Sequence, residues 1–301
     1  MKASDFVFKL IIAFSIYLLL PQSRLQSQQS NFQIAPSPIA YPYFEEGRHD
    51  GNLGVSFISI STQDMNMAGG AGDFKGRAAF SEFAAIDGNL GLNMLGGTMP
   101  GIPPLISLYP YIPEVAGEAT LTYFSFRMAF NIEIQPVKTD VFSIIFFGGP
   151  NMNISQFTIT TPFNLRLPPG YTSVAKGYTD TLTINTNLTG WQAGVQIDLP
   201  LGGDARLSPF FMYSSFSGTA TLTDTTTVSG YGSTSMTVDV PGATATSFGM
   251  DIIFGDLSIG TLLQQMAASD STTQDTSIIM ISISYHFSSE ETNNDAEGEK
   301  L

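Results

Sequence analysis

The chain has 301 residues, of which 43% are hydrophobic and only 13% are charged, with a net charge of −14 and no cysteine. Soluble globular domains usually carry about 25% charged residues, so this composition is not that of an ordinary soluble domain. The negative balance argues against nucleic acid as a partner, and the lack of cysteine excludes a lipoprotein anchor and a disulfide framework.

The N-terminal segment 1–30 has the features of a secretory signal peptide. Lys2 and Lys9 make the start weakly basic, an apolar stretch follows over 6–20, and Pro21 interrupts it. The stretch is shorter than the about 20 residues of a transmembrane helix, and its length suits the hydrophobic region of a signal peptide. We expect cleavage near 27–30 and a periplasmic segment over 31–50. The alternative is an uncleaved membrane anchor.

The chain after residue 50 is dominated by alternating patterns of period 2, which are typical of β-strands. In "TGWQAGVQIDLP", Trp191, Ala193 and Val195 share one face, whereas Gln192 and Gln196 share the other. Such runs are about 9–12 residues long, which suits tilted membrane-spanning strands better than globular strands of about 5–6 residues. The pattern predicts an apolar face toward lipid and a polar face toward a lumen.

The sequence therefore predicts an all-β fold, a single antiparallel transmembrane β-barrel over 51–287, with both termini on the periplasmic side. The predicted strands are 52–61, 74–86, 89–95, 118–132, 139–148, 189–199, 206–216, 244–254, 256–266 and 277–287. The segment 74–86 lacks clean alternation, so a barrel of eight strands is the alternative to ten.

The predicted connections alternate between short periplasmic turns and long outer loops, as barrels of this type do. The expected long loops are 62–73, 96–117, 149–188, 217–243 and 267–276. The loop 217–243 is rich in Thr and could extend a hairpin above the membrane. The proline-rich segment 101–113 cannot join a ladder, so it is either a constriction in the lumen or a structured outer loop.

Aromatic residues at the ends of the apolar faces predict the girdles that mark membrane interfaces. They are Trp191, Tyr213, Phe254, Tyr285 and Phe287.

The last strand, "ISISYHF", resembles the C-terminal signature of Gram-negative outer-membrane β-barrels, in which a terminal aromatic residue is recognised by the barrel-assembly machinery. The resemblance implies that Tyr285 and Phe287 form the assembly signal, and it implies contacts with outer-membrane lipid and lipopolysaccharide. The chain departs from this signature because an acidic tail, 288–301, follows Phe287. Its general pattern is similar to small OmpW- or OmpX-like barrels, or to a related Bacteroidota family.

The predicted lumen carries polar and charged side chains that are candidates for a functional site. They are Arg127, Glu133, Gln192, Gln196, Asp198, Asp251 and His286. A barrel of eight strands is filled by its own side chains, so we expect Arg127 to pair with Asp251 or Glu133 in a buried ion pair. The alternative is a selectivity gate in a narrow pore.

Catalytic and metal sites have little support in the sequence. Its only two histidines are His49 and His286, and neither has the partners of a catalytic triad or the spacing of a metal site. We expect no enzyme activity, no metal and no cofactor. The leading expectation is a narrow or plugged barrel for small molecules, hydrophobic ones included, and the alternative is a structural or adhesive surface protein acting through its loops.

Overall fold

The structure, a computed structural model, describes residues 44, 46–62, 65–166, 174–268 and 276–290. The predicted signal peptide, most of the predicted segment 31–50 and residues 291–301 of the predicted tail lie outside these ranges. The described strands are β1 (Arg48–Ser61), β2 (Asn66–Ala79), β3 (Ala84–Met99), β4 (Ile112–Val115), β5 (Ala119–Lys138), β6 (Ser143–Arg166), β7 (Val174–Gly202), β8 (Ala205–Thr226), β9 (Ser233–Phe254), β10 (Leu257–Ala268) and β11 (Thr276–Glu290).

Ten of these strands form one closed antiparallel barrel. β1 pairs with β2 on one side and with β11 on the other, and the β6–β7 pairing completes the ring. The short β4 lies outside the ring of ten, where it pairs with residues 163–166 of β6 beyond the end of β5. The prediction that the segment 101–113 cannot join a ladder was therefore wrong at its last two residues, because β4 is an edge strand, where a proline is tolerated. The predicted all-β barrel of ten strands is confirmed, and the eight-strand alternative is wrong.

The two ends of the barrel differ in their connections. At the end that carries Arg48 and Glu290, which we call the turn end, the strands are joined by short turns at 80–83, 139–142, 203–204 and 255–256. At the opposite end, the loop end, the connections include 100–118 and 227–232. The tightest turns contain Gly203 and Gly255, whose positive φ angles of 61° and 57° favour glycine.

The outer face of the barrel carries an apolar belt, as predicted from the alternation. On β5 the outward side chains Phe124, Phe126, Met128, Phe130, Ile132 and Ile134 alternate with buried inward ones. β9, β10 and β11 repeat the pattern. A belt of this kind is stable against hydrocarbon, whereas in water it would be a large exposed apolar patch. Within the described ranges, no helix is long and apolar enough to cross a membrane.

The predicted boundaries of the second and third strands were wrong. The segments 74–86 and 89–95 were expected to be strands, but β2 runs over 66–79, a turn occupies 80–83 and β3 begins at Ala84. The outward face of β2 includes Gly70, Gly72 and Gly76 around Phe74. These glycines hide the apolar alternation on which the prediction relied.

The predicted long loops are also shorter than expected. β6 and β7 extend through most of 149–188, and β8 and β9 extend through most of 217–243, the latter as the Thr-rich pattern allowed. The first predicted loop, 62–73, is largely strand β2. These strand extensions carry Thr and Asn on their outward face beyond the belt, so their alternation is not between apolar and polar residues. Two long hairpins therefore project from the loop end.

Candidate functional site

The lumen of the barrel has a polar layer toward the turn end, to which all ten barrel strands contribute inward side chains. Arg127 on β5 is buried and forms an ion pair with Asp73 of β2. Gly91 on the intervening strand β3 leaves room for this pair, because a Cβ atom there would lie 2.7 Å from Asp73 Oδ1. The expected pairing of Arg127 with Asp251 or Glu133 was wrong, since the register brings Asp73 beside it instead.

Glu133 has a different partner, Arg77 of β2. The Arg77 Nη2 atom donates to Glu133 Oε1 at 3.2 Å, and both side chains are 0% exposed. The Arg77 guanidinium also lies 5.1 Å from the centroid of the Phe44 ring. Buried charged groups need such partners, because burying an unpaired charge costs folding free energy.

Lys75 and Asp251 are two further charged residues near the centre of the polar layer. Both are buried and face the lumen, and Lys75 interacts electrostatically with Asp251 and with Asp73. On β3, Asp87 accepts a hydrogen bond from Asn131 Nδ2 at 2.8 Å. Acidic and basic groups are therefore close to one another in this layer.

The predicted lumen residues on β7 lie in the same layer. Gln192 donates to Asn131 Oδ1 at 2.9 Å, and Gln196 donates to Ser208 Oγ at 2.7 Å. Asp198 lies near the turn end, where it accepts a hydrogen bond from Arg206 Nε at 2.9 Å. All three predicted residues are buried, and each is engaged with its own neighbours in the barrel.

His286 faces the lumen on β11. Its Nε2 atom lies 2.8 Å from Ser258 Oγ, and Asn52 Nδ2 lies 3.3 Å from its ring. The ring is buried, and it has a hydroxyl and an amide group among its neighbours. Within the described residues, no group of three or more His, Asp or Glu side chains converges to hold a metal ion.

The loop-end half of the lumen is apolar, whereas the sequence pattern predicted a polar inner face throughout. Its layer of buried side chains draws on every strand of the barrel and is centred on Ile58, Ile60, Met67, Leu95, Leu121, Ile159, Leu188, Phe216, Val240, Leu262, Met266, Ile278 and Met280. Each of these residues lies on the inward face of its strand. The sequence signal was present in the inward positions of β5, where Leu121 and Tyr123 precede Ser125 and Arg127.

The proline-rich segment 100–111, which we call the strap, packs against the inner wall of the barrel at the loop end. Leu108 is buried in a cluster with Phe163, Leu165 and Val228. The Tyr231 hydroxyl donates to the Leu108 carbonyl at 3.2 Å and lies 2.7 Å from that of Tyr109. Because Ile102 also packs on the apolar layer, the strap covers that layer from the loop end.

The predicted aromatic girdle residues all lie on the outward face, at two levels. Phe254, Leu257 and Tyr285 form one row across three strands near the turn end, and Phe287 follows Tyr285 on the same face. Trp191 and Tyr213 lie farther toward the loop end, with their ring centroids 5.5 Å apart. Two aromatic levels on either side of an apolar belt are typical of membrane interfaces.

These features define the class of the molecule. A closed barrel with an even number of antiparallel strands, an apolar belt between aromatic levels, short turns at one end and a polar inner face is a transmembrane β-barrel of the bacterial outer-membrane type.

No protein-family model matches the sequence, and no curated protein matches it either. Solved structures of similar fold include the outer-membrane protease OmpT of Escherichia coli, with a TM-score of 0.47 and 7% identity over 82% of this chain and 99% of that one. OprG of Pseudomonas aeruginosa has a TM-score of 0.38 and 10% identity over 81% of this chain and 98% of its own. A major outer-membrane protein of Thermus thermophilus has a TM-score of 0.37 and 11% identity over 79% and 99%.

Proposed function

We propose that this protein is a sealed outer-membrane barrel that takes up small hydrophobic molecules into the apolar layer of its lumen. The observation that carries the proposal is the apolar lining of the loop-end half. Water-filled porin lumens are polar, whereas sites for small apolar ligands are lined mainly by hydrophobic side chains. An apolar lumen favours a hydrophobic guest over an ion or a sugar.

The composition of the apolar layer supports a guest site that can adapt. Met65, Met67, Met266 and Met280 belong to it. Methionine side chains are unbranched and flexible, and they accommodate ligands of different shapes. A guest would displace these side chains, and the strap would then cover the guest from the loop end.

The polar layer supports a sealed lumen. Arg77, Arg127 and Glu133 are held by ion pairs and have almost no exposed surface, so they leave little room for water beside them. Under this proposal the turn end points to the periplasm and the loop end to the exterior. The proposal further includes export by the N-terminal segment, assembly by the barrel-assembly machinery, contact with lipopolysaccharide, and no enzyme activity. The finer likeness to OmpW-like barrels stays a prediction.

Two measurements test the proposal. In a planar bilayer, the refolded protein should give no steady single-channel current, and a resolved conductance would contradict a sealed lumen. In nanodiscs, the protein should raise the fluorescence of N-phenyl-1-naphthylamine above that of empty nanodiscs. Leu121→Gln, which places an amide in the apolar layer, should remove most of that increase.

The matched control is Thr122→Gln, because Thr122 is the next residue on β5 and faces outward. This variant should bind the dye like the wild type. Both variants must retain the band shift between boiled and unboiled samples on a gel, which reports a closed barrel. If the two variants bind the dye equally, the dye is not in the lumen.

A second candidate, a surface protein acting through its outer extensions, is favoured by the hairpins that project beyond the belt. β7 has 29 residues, whereas about 9–11 residues cross a membrane. Deletion of 217–226 with 233–242 should abolish binding of cells to a surface if this function is correct, whereas Leu121→Gln should leave that binding unchanged.

A further inference from the structure

A group of buried oxygen atoms lies beneath the strap, separate from the apolar layer. Thr161 on β6 pairs in register with Asp180 on β7, and Asp224 on β8 lies two residues before the register partner of Asp180. All three side chains face the lumen. Diagonal neighbours of this kind are within contact distance on one face of a sheet.

These three side chains are withdrawn from solvent and incompletely partnered. Thr161 is 1% exposed, Asp180 is 3% exposed and Asp224 is 1% exposed. Thr161 Oγ1, Asp180 Oδ1 and Asp224 Oδ1 each have no hydrogen-bond partner in the protein. Buried polar atoms are normally satisfied, so three unpartnered oxygens on adjacent strands indicate a missing ligand.

The charge at this position has the same implication. Asp180 and Asp224 bring two carboxyl groups together away from solvent. At this level of the barrel, the charged side chains of the neighbouring strands, Glu114, Arg166, Lys176 and Asp239, are exposed. Two carboxylates that face each other out of water favour the binding of a cation or of a proton.

The strap is attached at the same place. The Ile106 amide donates to Asp224 Oδ2 at 2.9 Å, which leaves Oδ1 free to bind a ligand. Gly101 passes so close to Thr161 that a Cβ atom at Gly101 would lie 3.0 Å from Thr161 Cγ2. A ligand held by the three oxygens would therefore lie between the strap and the barrel wall.

We propose that Thr161, Asp180 and Asp224 form a binding site for a hard divalent cation, Ca²⁺ or Mg²⁺, that ties the strap to the wall. Carboxylate and hydroxyl oxygens are ligands of both ions, and water completes their coordination. Sites of low ligand charge in extracellular modules bind Ca²⁺ with Kd values of roughly 10⁻⁴–10⁻³ M. This proposal does not depend on the identity of any hydrophobic guest.

The test uses the full chain, refolded without lipopolysaccharide, treated with EDTA and then titrated calorimetrically with CaCl₂ or MgCl₂ at pH 8. Binding of either ion with a Kd at or below about 1 mM supports the proposal. The ion that binds more tightly is then identified as the occupant. Asp180→Asn keeps the shape of the side chain and should weaken binding at least tenfold. Thr161→Val should weaken it less, and Thr161→Ser should restore it.

The control is Glu114→Gln, because Glu114 is an exposed carboxylate whose partner is Arg166. It should bind the ion like the wild type, and all variants must keep the band shift of a closed barrel. The proposal is overturned if the wild type binds neither ion with a Kd at or below about 1 mM. A proton shared by the two carboxyl groups would then be the occupant of the site. It is equally overturned if Asp180→Asn binds as tightly as Glu114→Gln.

Discussion

The two halves of the lumen fill the same barrel with opposite chemistry. In the polar layer, Arg127 and Arg77 are paired with Asp73 and Glu133, so removal of one partner leaves the other charge buried. In the apolar layer, residues such as Leu121 are held only by apolar contacts. Replacing one of their neighbours with another apolar group therefore leaves no buried charge without a partner. The comparison predicts that the polar layer tolerates substitution less well than the apolar layer.

The largest expected effect comes from breaking the polar layer. Arg77→Ala leaves the Glu133 carboxylate buried and unpaired, so it should lower the free energy of unfolding by about 3–5 kcal/mol. Urea unfolding in detergent, followed by the gel band shift, measures this loss. The control is Arg166→Ala, which removes a pair with Glu114 that is 64% and 44% exposed and should cost about 0–1 kcal/mol. Equal losses would mean that the Arg77–Glu133 pair lies in water.

The next effect separates the lumen from the outer face. Ile252 points outward on β9, whereas Ile253 points inward. Ile252→Arg places a charge in the apolar belt and should cost about 2–4 kcal/mol near the middle of the membrane. Ile252→Leu is the control and should insert normally. The measurement is the fraction of protein that folds into liposomes, and full insertion of the arginine variant would mean that the belt does not face lipid.

A smaller effect concerns the cover of the apolar layer. Tyr231→Phe removes the hydroxyl that donates to the strap carbonyls of Leu108 and Tyr109, which should cost about 1 kcal/mol. Limited proteolysis of the protein in nanodiscs should then cleave within 100–111 faster than in the wild type. Tyr285→Phe, on the outward face of β11, is the control. Unchanged cleavage would show that the hydroxyl does not hold the strap.

The smallest effect is a pH dependence at the loop end. Because the folded-state pKa of Asp180 is raised to about 7, the folded protein holds a proton that the unfolded chain has lost, and stability falls as pH rises from about 4 to about 7. In EDTA, Asp180→Asn should raise the midpoint temperature of the band shift by a few degrees at pH 8. The difference should be smaller at pH 5, and a gain that is independent of pH would argue against this protonation.

Part of this architecture could be predicted residue by residue. The alternation of Trp191 with Gln192 and of Phe130 with Asn131 was enough to assign outward and inward faces, because neighbouring side chains of a strand point to opposite sides. The prediction was weakest where one face lacks contrast. Because the outward face of β2 carries glycines, the inward position of Asp73, Lys75 and Arg77 could not be recognised. At the loop end, β6 to β9 carry polar residues on both faces, and this made their extensions resemble loops.

The sequence by itself therefore determined the barrel, its apolar belt and the inward position of residues such as Arg127 and Gln192, since these follow from local periodicity. Only the tertiary structure decided that Arg127 pairs with Asp73, that the apolar layer lies on the loop-end side of the polar layer, and that the strap forms a hydrogen bond with Asp224. These contacts join strands far apart in the chain, and the register that creates them depends on turn lengths and barrel closure.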